Sequence, residues 1–468
     1  MRHWCGLAVC AALLGISGCA SHPFDDDLYP EARALGRDIA TFRTDERPLN
    51  ATARQRAEAL ETAGDLTLAD ALAAALRGNP ELARFGYEVR AAEARVVQAG
   101  LWQNPELGFE LENLAGSDEL DGVDGAEATL SLSQTFPLGG DIRRRQALAE
   151  LEGRLAGWDY EAARIGLLTE ATQRYVDLLA AQGRVDLAED SVRLAERSAT
   201  SIERRVDAGD APAVELSRAA VPVALARIER QRATRELETA RVRLALTWGS
   251  NEPRFDRVRG DLDRVEPIPT IHELTALLGQ NPDVARYAVE IASRQAEAEL
   301  ARAEAVPDLT AGLGFQWFNE SDDTALVAGV SIPLPVFDRR QGDILAARFG
   351  VAAAQDQQRA IELQLTAALT AAYARLANAR AEVIALREEA IPPAEAAYRD
   401  IQRAFDGGNL GFLNVLDAER TLIDLRQQHL ESLAEYHGAA AEIEGLIGSP
   451  LPRPTESNTP STQPEPQP

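Results

Sequence analysis

The hydrophobic period of this chain changes several times, always in the same order. From Leu66 to Arg77 apolar residues recur at helical spacing and stop at Gly78-Asn79-Pro80, a combination that ends one helix and starts another. The helical period resumes from about Pro80 to Trp102. It then falls to two. Leu107, Phe109 and Leu111 alternate with Gly108, Glu110 and Glu112, and Leu130 and Leu132 alternate with Ser131 and Ser133. This predicts strands at about 105–112 and 128–136, joined through a polar, glycine-bearing stretch. From Gly140 to Asp207 there is no proline, and apolar residues recur at heptad-like spacing through Leu148, Leu151, Leu155, Leu167, Tyr175, Leu178, Val185 and Leu194. About 67 residues at 1.5 Å each make a helix of about 100 Å, too long for a globule and suited to a rod or tube. Ala208-Gly209-Asp210 predicts a turn, with Pro212 near the start of a return helix that ends near Trp248.

The order then repeats. Asn79-Pro80-Glu81-Leu82-Ala83-Arg84 is answered by Asn281-Pro282-Asp283-Val284-Ala285-Arg286, and Pro105-Glu106-Leu107 by Pro307-Asp308-Leu309, both at an offset of 281 − 79 = 202. Phe136-Pro137-Leu138 is answered by Ile332-Pro333-Leu334, and Ala208-Gly209-Asp210 by Gly407-Gly408-Asn409. The second pair of strands, at about 308–318 and 325–332, alternates more clearly than the first. A second long helix is expected over about Arg340–Asp406, with its return over Gly411–Ile447. Each copy can thus build two antiparallel columns of matched length, because the short and return helices stacked end to end come close to the long one. Pro222 and Pro392-Pro393 fall at related heights, as inward bends or as tolerated kinks.

The ends of the chain add a compartment. Met1-Arg2-His3 followed by an apolar run to Ile16 reads as a signal peptide (1–18), too short to span a bilayer. Ile16-Ser17-Gly18-Cys19 has the form of a lipoprotein cleavage site, making Cys19 the expected lipidation site. Residues 19–65 read as a tether, 66–249 and 271–448 as the two repeats, 250–270 as a linker and 449–468 as a Pro/Ser/Thr-rich disordered tail. All three cysteines lie in the first 19 residues, so the body has no disulfide, thiolate nucleophile or cysteine metal site. The net charge of −26 argues against nucleic acid as a partner. It suits a conduit for cations, or simply a solvated acidic surface.

The strand faces decide more. One face is apolar and the other polar or glycine, as expected of strands between lipid and water, or of hairpins lying on a soluble core. Two such hairpins in an exported, lipidated chain favour the barrel. Four strands cannot close one, and open edges are not tolerated in lipid, so oligomerisation is required.

These features together resemble the TolC-type outer membrane efflux channels over roughly Leu66 to Gly448. The resemblance rests on the repeated Asn-Pro pair, the Pro-Glu/Asp-Leu strand starts, Ser133-Gln134-Thr135-Phe136-Pro137-Leu138-Gly139-Gly140, and Phe405-Asp406-Gly407-Gly408-Asn409 followed by Val415-Leu416-Asp417-Ala418. It implies a mainly α fold with a small β part: a duplicated helix–β-hairpin–long helix–turn–helix unit. It further implies a homotrimer in the outer membrane, whose 4 × 3 = 12 strands form a β-barrel continuous with a periplasmic α-helical barrel. The implied partners are a periplasmic adaptor (membrane fusion) protein and an inner-membrane resistance–nodulation–division (RND) pump, with no cofactor and no enzymatic activity. The Ser-Gln-x-Phe-Pro-Leu-Gly-Gly stretch looks most like the heavy-metal branch. A multidrug duct of the same fold and a periplasmic coiled-coil adaptor lipoprotein are the competing readings.

The resemblance also places a periplasmic gate. Its two acidic positions fall here on Asn414 and Asp417, so only one is acidic. Arg218, Arg403 or Arg205 is expected to restrain Asp417 in the closed state. The turns at Gly209-Asp210 and Gly408-Asn409 are the expected adaptor-docking points. His429 and His437, eight apart on one helix, and the isolated His272 lack the spacing of a metal site.

Overall fold

The computed structural model describes residues 28–41, 64–114 and 123–452. In chain order the first copy comprises β1 (Gly64–Leu66), α1 (Leu68–Gly78), α2 (Pro80–Ala99), β2 (Glu106–Glu112), β3 (Glu127–Phe136), α3 (Asp141–Asp207) and α4 (Val214–Leu246). After β4 (Phe255–Val258) the second comprises α5 (Ile271–Leu277), α6 (Pro282–Ala303), β5 (Leu309–Phe318), β6 (Asp323–Ser331), α7 (Gln341–Ala385), α8 (Ile391–Asp406) and α9 (Phe412–Ile447).

The helices form four columns side by side. The column of α2 and α4 packs on α3, α3 packs on the column of α6 and α9, and that column packs on α7 and α8. The short helices meet their return helices end to end through the repeated asparagine. Asn79 Oδ1 accepts from the Leu82 amide at 2.8 Å, capping α2, while its Nδ2 donates to the Thr247 carbonyl at the end of α4 at 2.8 Å. Asn281 does the same in the second copy, accepting from the Asp283 amide at 2.8 Å and donating to the Leu446 carbonyl at 2.9 Å. The following proline has no amide to satisfy and suits the first helical position. One residue therefore satisfies orphan groups at two helix ends.

Both far turns share one geometry. Asp210 N donates to Arg205 O (2.8 Å) and Gly209 N to Val206 O (3.0 Å); Asn409 N donates to Ala404 O and Gly408 N to Phe405 O, each at 2.9 Å. Gly209 and Gly408 take the left-handed φ of +83° and +78° that this C-cap requires.

The two hairpins merge into a single antiparallel sheet of order β2-β3-β5-β6. Its register lines up apolar residues in rows across all four strands. Phe109, Leu130, Phe315 and Leu326 form one row, and Leu107, Leu132, Leu313 and Ala328 the next. The opposite face carries Gly108, Ser131 and Gly314 in one row and Glu110, Thr129 and Gln316 in another. The apolar rows are not covered: Leu107 is 73 % exposed, Phe109 69 %, Phe315 66 % and Leu326 68 %. The outer edges of β2 and β6 have no strand beside them among the described residues.

Three features depart from the sequence expectation. The second long helix is not continuous: a π-helical turn at Leu386–Ala390 separates α7 from α8. Pro392 and Pro393 offer no amides to the carbonyls one turn back, and the wider turn absorbs that loss. Pro222 causes no such break in α4. The stretch expected as a linker contains β4, which pairs in parallel with β1. Tyr175 on α3 holds this ribbon, its hydroxyl donating to the Leu66 carbonyl at 2.9 Å and lying 2.5 Å from the Arg259 carbonyl. Gln182, also on α3, bonds both the amide and the carbonyl of Val258. Finally, residues 28–41 of the expected tether lie against α3. There the buried Arg164 donates to the carbonyls of Arg33, Leu35 and Gly36, and Glu161 accepts from the Arg33 amide at 2.6 Å. The tail beyond residue 452 and Cys19 lie outside the described residues.

Asn281→Ala removes a cap and strands the Leu446 carbonyl. We expect a loss of about 2 kcal/mol, read as a lower midpoint of thermal loss of helical circular dichroism. An unchanged midpoint would show that the two helices stack without the suture.

Candidate functional site at the helical turns

The turn end is closed by a small apolar core shared by both copies. Ile202 of α3, Ala219 of α4, Phe405 of α8, and Phe412 and Val415 of α9 are all buried there. Phe405 and Phe412 lie 6.2 Å apart, ring to ring. This plug fixes the two helix hairpins to one another just above Gly209-Asp210 and Gly408-Asn409, which stand exposed at the tips.

On the outside of this core α9 presents Asn414 and Asp417, both exposed. Asn414 Nδ2 donates to the Gly411 carbonyl at 3.3 Å. The Asp417 carboxylate has no partner among the described residues. The arginines expected to hold it are committed elsewhere within the chain. Arg218 pairs with Glu215 at 3.0 Å, one turn away on its own helix. Arg403 pairs with Asp400. Arg205 donates to the Phe405 carbonyl at 3.3 Å and stacks on that ring at 4.9 Å. Arg218 and Arg403 thus reach acids on their own helices, whereas Arg205 crosses from α3 to α8.

An acid that sequence reasoning passed over lies two residues beyond Asp417. Glu419 is 5 % exposed, in the apolar stripe formed by Phe412, Val415 and Leu422. The 3-4-3 spacing of that stripe was the available signal: a carboxyl at a core position of the helix facing α3 and α8. Ser198 of α3 donates to Glu419 Oε2 at 3.3 Å. Burial pushes the carboxyl up to about 7, and the Ser198 hydrogen bond opposes the shift. The same acid, after burial itself, helps raise the Tyr398 phenol of α8.

The histidines are not brought together. His437 shares a 2.8 Å hydrogen bond with the Leu262 carbonyl. His429 Nε2 is buried without a hydrogen-bond partner among the described residues, and burial lowers its pKa. Among the described residues no three His, Cys, Asp or Glu side chains form a metal-binding group, and no helix is long and apolar enough to cross a membrane.

Comparison with known proteins agrees with this architecture. The sequence model for the family described as outer membrane efflux protein matches residues 71–250 and again 274–449. The cobalt-zinc-cadmium resistance protein CzcC of Cupriavidus metallidurans is 34 % identical over 388 residues, covering 83 % of this chain and 91 % of CzcC. The nickel and cobalt resistance protein CnrC of the same organism is 28 % identical over 300 residues, covering 64 % and 71 %. Among solved structures, the outer membrane protein VceC of Vibrio cholerae superposes with a TM-score of 0.67 at 20 % identity, covering 82 % of this chain and 97 % of VceC.

The buried Glu419 makes stability depend on pH. Its pKa is raised on folding, so the folded chain keeps a proton that the unfolded chain releases above pH 4.5. The cost of ionisation therefore grows from about pH 4.5 and is complete above about 7. Glu419→Gln should stabilise the fold at pH 8 by on the order of 3 kcal/mol, read as a higher thermal midpoint, and leave the midpoint unchanged at pH 4. An equal effect at both values would deny the carboxyl this role.

Proposed function

The chain belongs to the outer membrane efflux protein family, and we propose that three copies form a passive export duct for divalent transition-metal cations. The observation that carries the reading is the four-stranded sheet, with uncovered apolar rows on one face and open edges on both sides. Water does not favour that surface; lipid does. In hydrocarbon the edge amides and carbonyls need partners, and another copy of the same sheet supplies them. Three copies give 4 × 3 = 12 strands. The helical columns continue the wall, with α3 extending 67 residues, about 100 Å, from the sheet to the turns. The uncovered Val221, Leu225 and Ile228 on α4 and Leu345 and Phe349 on α7 lie on the two outer columns, where neighbouring copies would meet.

The lipid anchor fits the same arrangement. Leu28 packs against Gly153 and Gly157 of α3, 12 to 16 residues from its sheet end, about 18–24 Å. Nine steps from Cys19 reach about 30 Å, enough to place a lipid on Cys19 at the level of the sheet. At the other end the exposed turns would dock a periplasmic adaptor coupled to an RND pump, and three Asp417 carboxylates would ring the aperture. Cargo in the metal class rests on the names of the relatives, cobalt-zinc-cadmium and nickel-cobalt resistance proteins. Like charges at the aperture repel one another and attract cations.

Two results would test this. Deleting the gene should sensitise the host to zinc, cobalt, cadmium or nickel and not to drugs; sensitivity to drugs alone would keep the duct and overturn the cargo. Phe315→Asp, on the apolar face, should abolish heat-modifiable trimers in the outer membrane, whereas Ser131→Asp, on the polar face, should leave them. Equal tolerance of both would mean that the apolar face does not meet lipid.

A further inference from the structure

Glu419 is an acid at a core position of the contact that joins the second hairpin to the first. Its neighbours one turn away on α9, Val415, Leu416, Leu422 and Ile423, are all apolar. Ser198, which donates to it, is buried on α3 one turn from Ile202 of the plug. The first copy has Ala220 at the corresponding place (408 − 209 = 199 and 419 − 199 = 220), so only one hairpin of the pair carries the acid.

Other buried carboxyls are neutralised by guanidinium groups. Glu161 is held by Arg164 through bonds of 2.7 and 2.8 Å, and Glu93 by Arg90 at 2.9 Å. Glu419 forms no ion pair among the described residues, and the charges around it are engaged elsewhere. On α3, Arg205 binds the Phe405 carbonyl at 3.3 Å. On α4, Arg218 pairs with Glu215 at 3.0 Å. On α8, Arg399 pairs with Glu395 at 3.7 Å and Arg403 with Asp400, while Asp406 accepts from Ser201 and Gln402, each at 3.2 Å. Arg197 of α3 acts on the Tyr398 phenol of α8, as do Asp406 and Glu419 itself. On α9, Arg420 lies 4.0 Å from Asp424. A carboxylate buried without a cation is costly, and a neutral carboxyl with one hydrogen bond is not. Burial accordingly brings this group close to neutrality, to about 7.

We propose that Glu419 is a proton-operated latch: protonated, it lets α9 pack on α3 and holds the turn end closed; ionised, it favours parting of the second hairpin from the first. The proton released goes to water. The sign follows from linkage. The packed state holds the proton more tightly than a parted state in which water reaches the carboxyl, so rising pH favours parting. That the closed turn end shuts a channel rests on the duct reading; the movement itself does not.

Spin labels at D210C and N409C, on the two exposed tips, measure the movement in the full trimer in nanodiscs, with one labelled copy per trimer. The parent should show a short distance at pH 5.5 and a longer one gaining at pH 8.5, the ratio of long to short rising on the order of tenfold. E419Q, which keeps the shape and cannot ionise, should hold the short distance at both. S198A removes the hydrogen bond that eases ionisation and should move the midpoint to higher pH. A distance independent of pH in the parent, a change that survives in E419Q, or a midpoint that S198A leaves in place overturns the proposal. Current through planar bilayers separates the latch from the duct. Tips that part with pH in a parent that passes no current at either value defeat the duct and leave the latch. Equal current at both values with unmoved tips defeats the latch and leaves the duct.

Discussion

A backbone amide or carbonyl facing hydrocarbon has no water to turn to, and this constraint organises the molecule. The sheet β2-β3-β5-β6 pairs its inner strands fully and leaves both edges open. Its apolar rows make lipid the favourable surrounding for one face, and lipid makes the open edges intolerable. The protomer is therefore incomplete as a unit. Duplication brings the chain to four strands, and in the proposed trimer repetition of the chain would supply the rest. The helices inherit the requirement, since a closed ring of strands continues downward only if every column is equally long.

Equal length is achieved by joining. α3 crosses the distance as one helix, whereas α2 with α4 and α6 with α9 cross it as two. Asn79 and Asn281 hold those junctions, each capping one helix and binding the last carbonyls of another. At the far end the left-handed glycines and the Phe405–Phe412 plug fix the two hairpins to each other. Beside that plug the buried Glu419 introduces a carboxyl whose ionisation burial disfavours, two residues from Asp417, the proposed gate carboxylate.

Much of this was legible because it depends on local period. Leu309 to Trp317 alternates without exception on one face, and the stretch before Asp207 has no proline to interrupt it. What was not legible depends on distant partners. β1 and β4 have three and four residues and lie about 190 apart in sequence, too short to show a period and held in place by Tyr175 and Gln182 of a third element. The docking of residues 28–41 likewise depends on one buried arginine, Arg164, within a helix of many arginines. Pro392-Pro393 announced a disturbance but not that a π turn would absorb it. Within the chain Arg218 and Arg403 pair with acids three residues away rather than with Asp417, as long flexible side chains on one helix do, and Arg205 binds the Phe405 carbonyl of α8. Glu419 is legible as an acid at an apolar position of α9, but its depth of burial depends on α3 and α8, far away in sequence.

The central claim is that one chain's β2 edge pairs with the β6 edge of the next and that the ring closes at three. Cysteine cross-linking tests it most directly. A cysteine at Ala328 of β6 would be combined in turn with one at each position from Glu106 to Glu112 of β2, and the oxidised protein run under denaturing conditions. The account predicts efficient cross-linking at one register only, with a ladder that ends at the trimer. No cross-link at any register, or a ladder running past three, would contradict it.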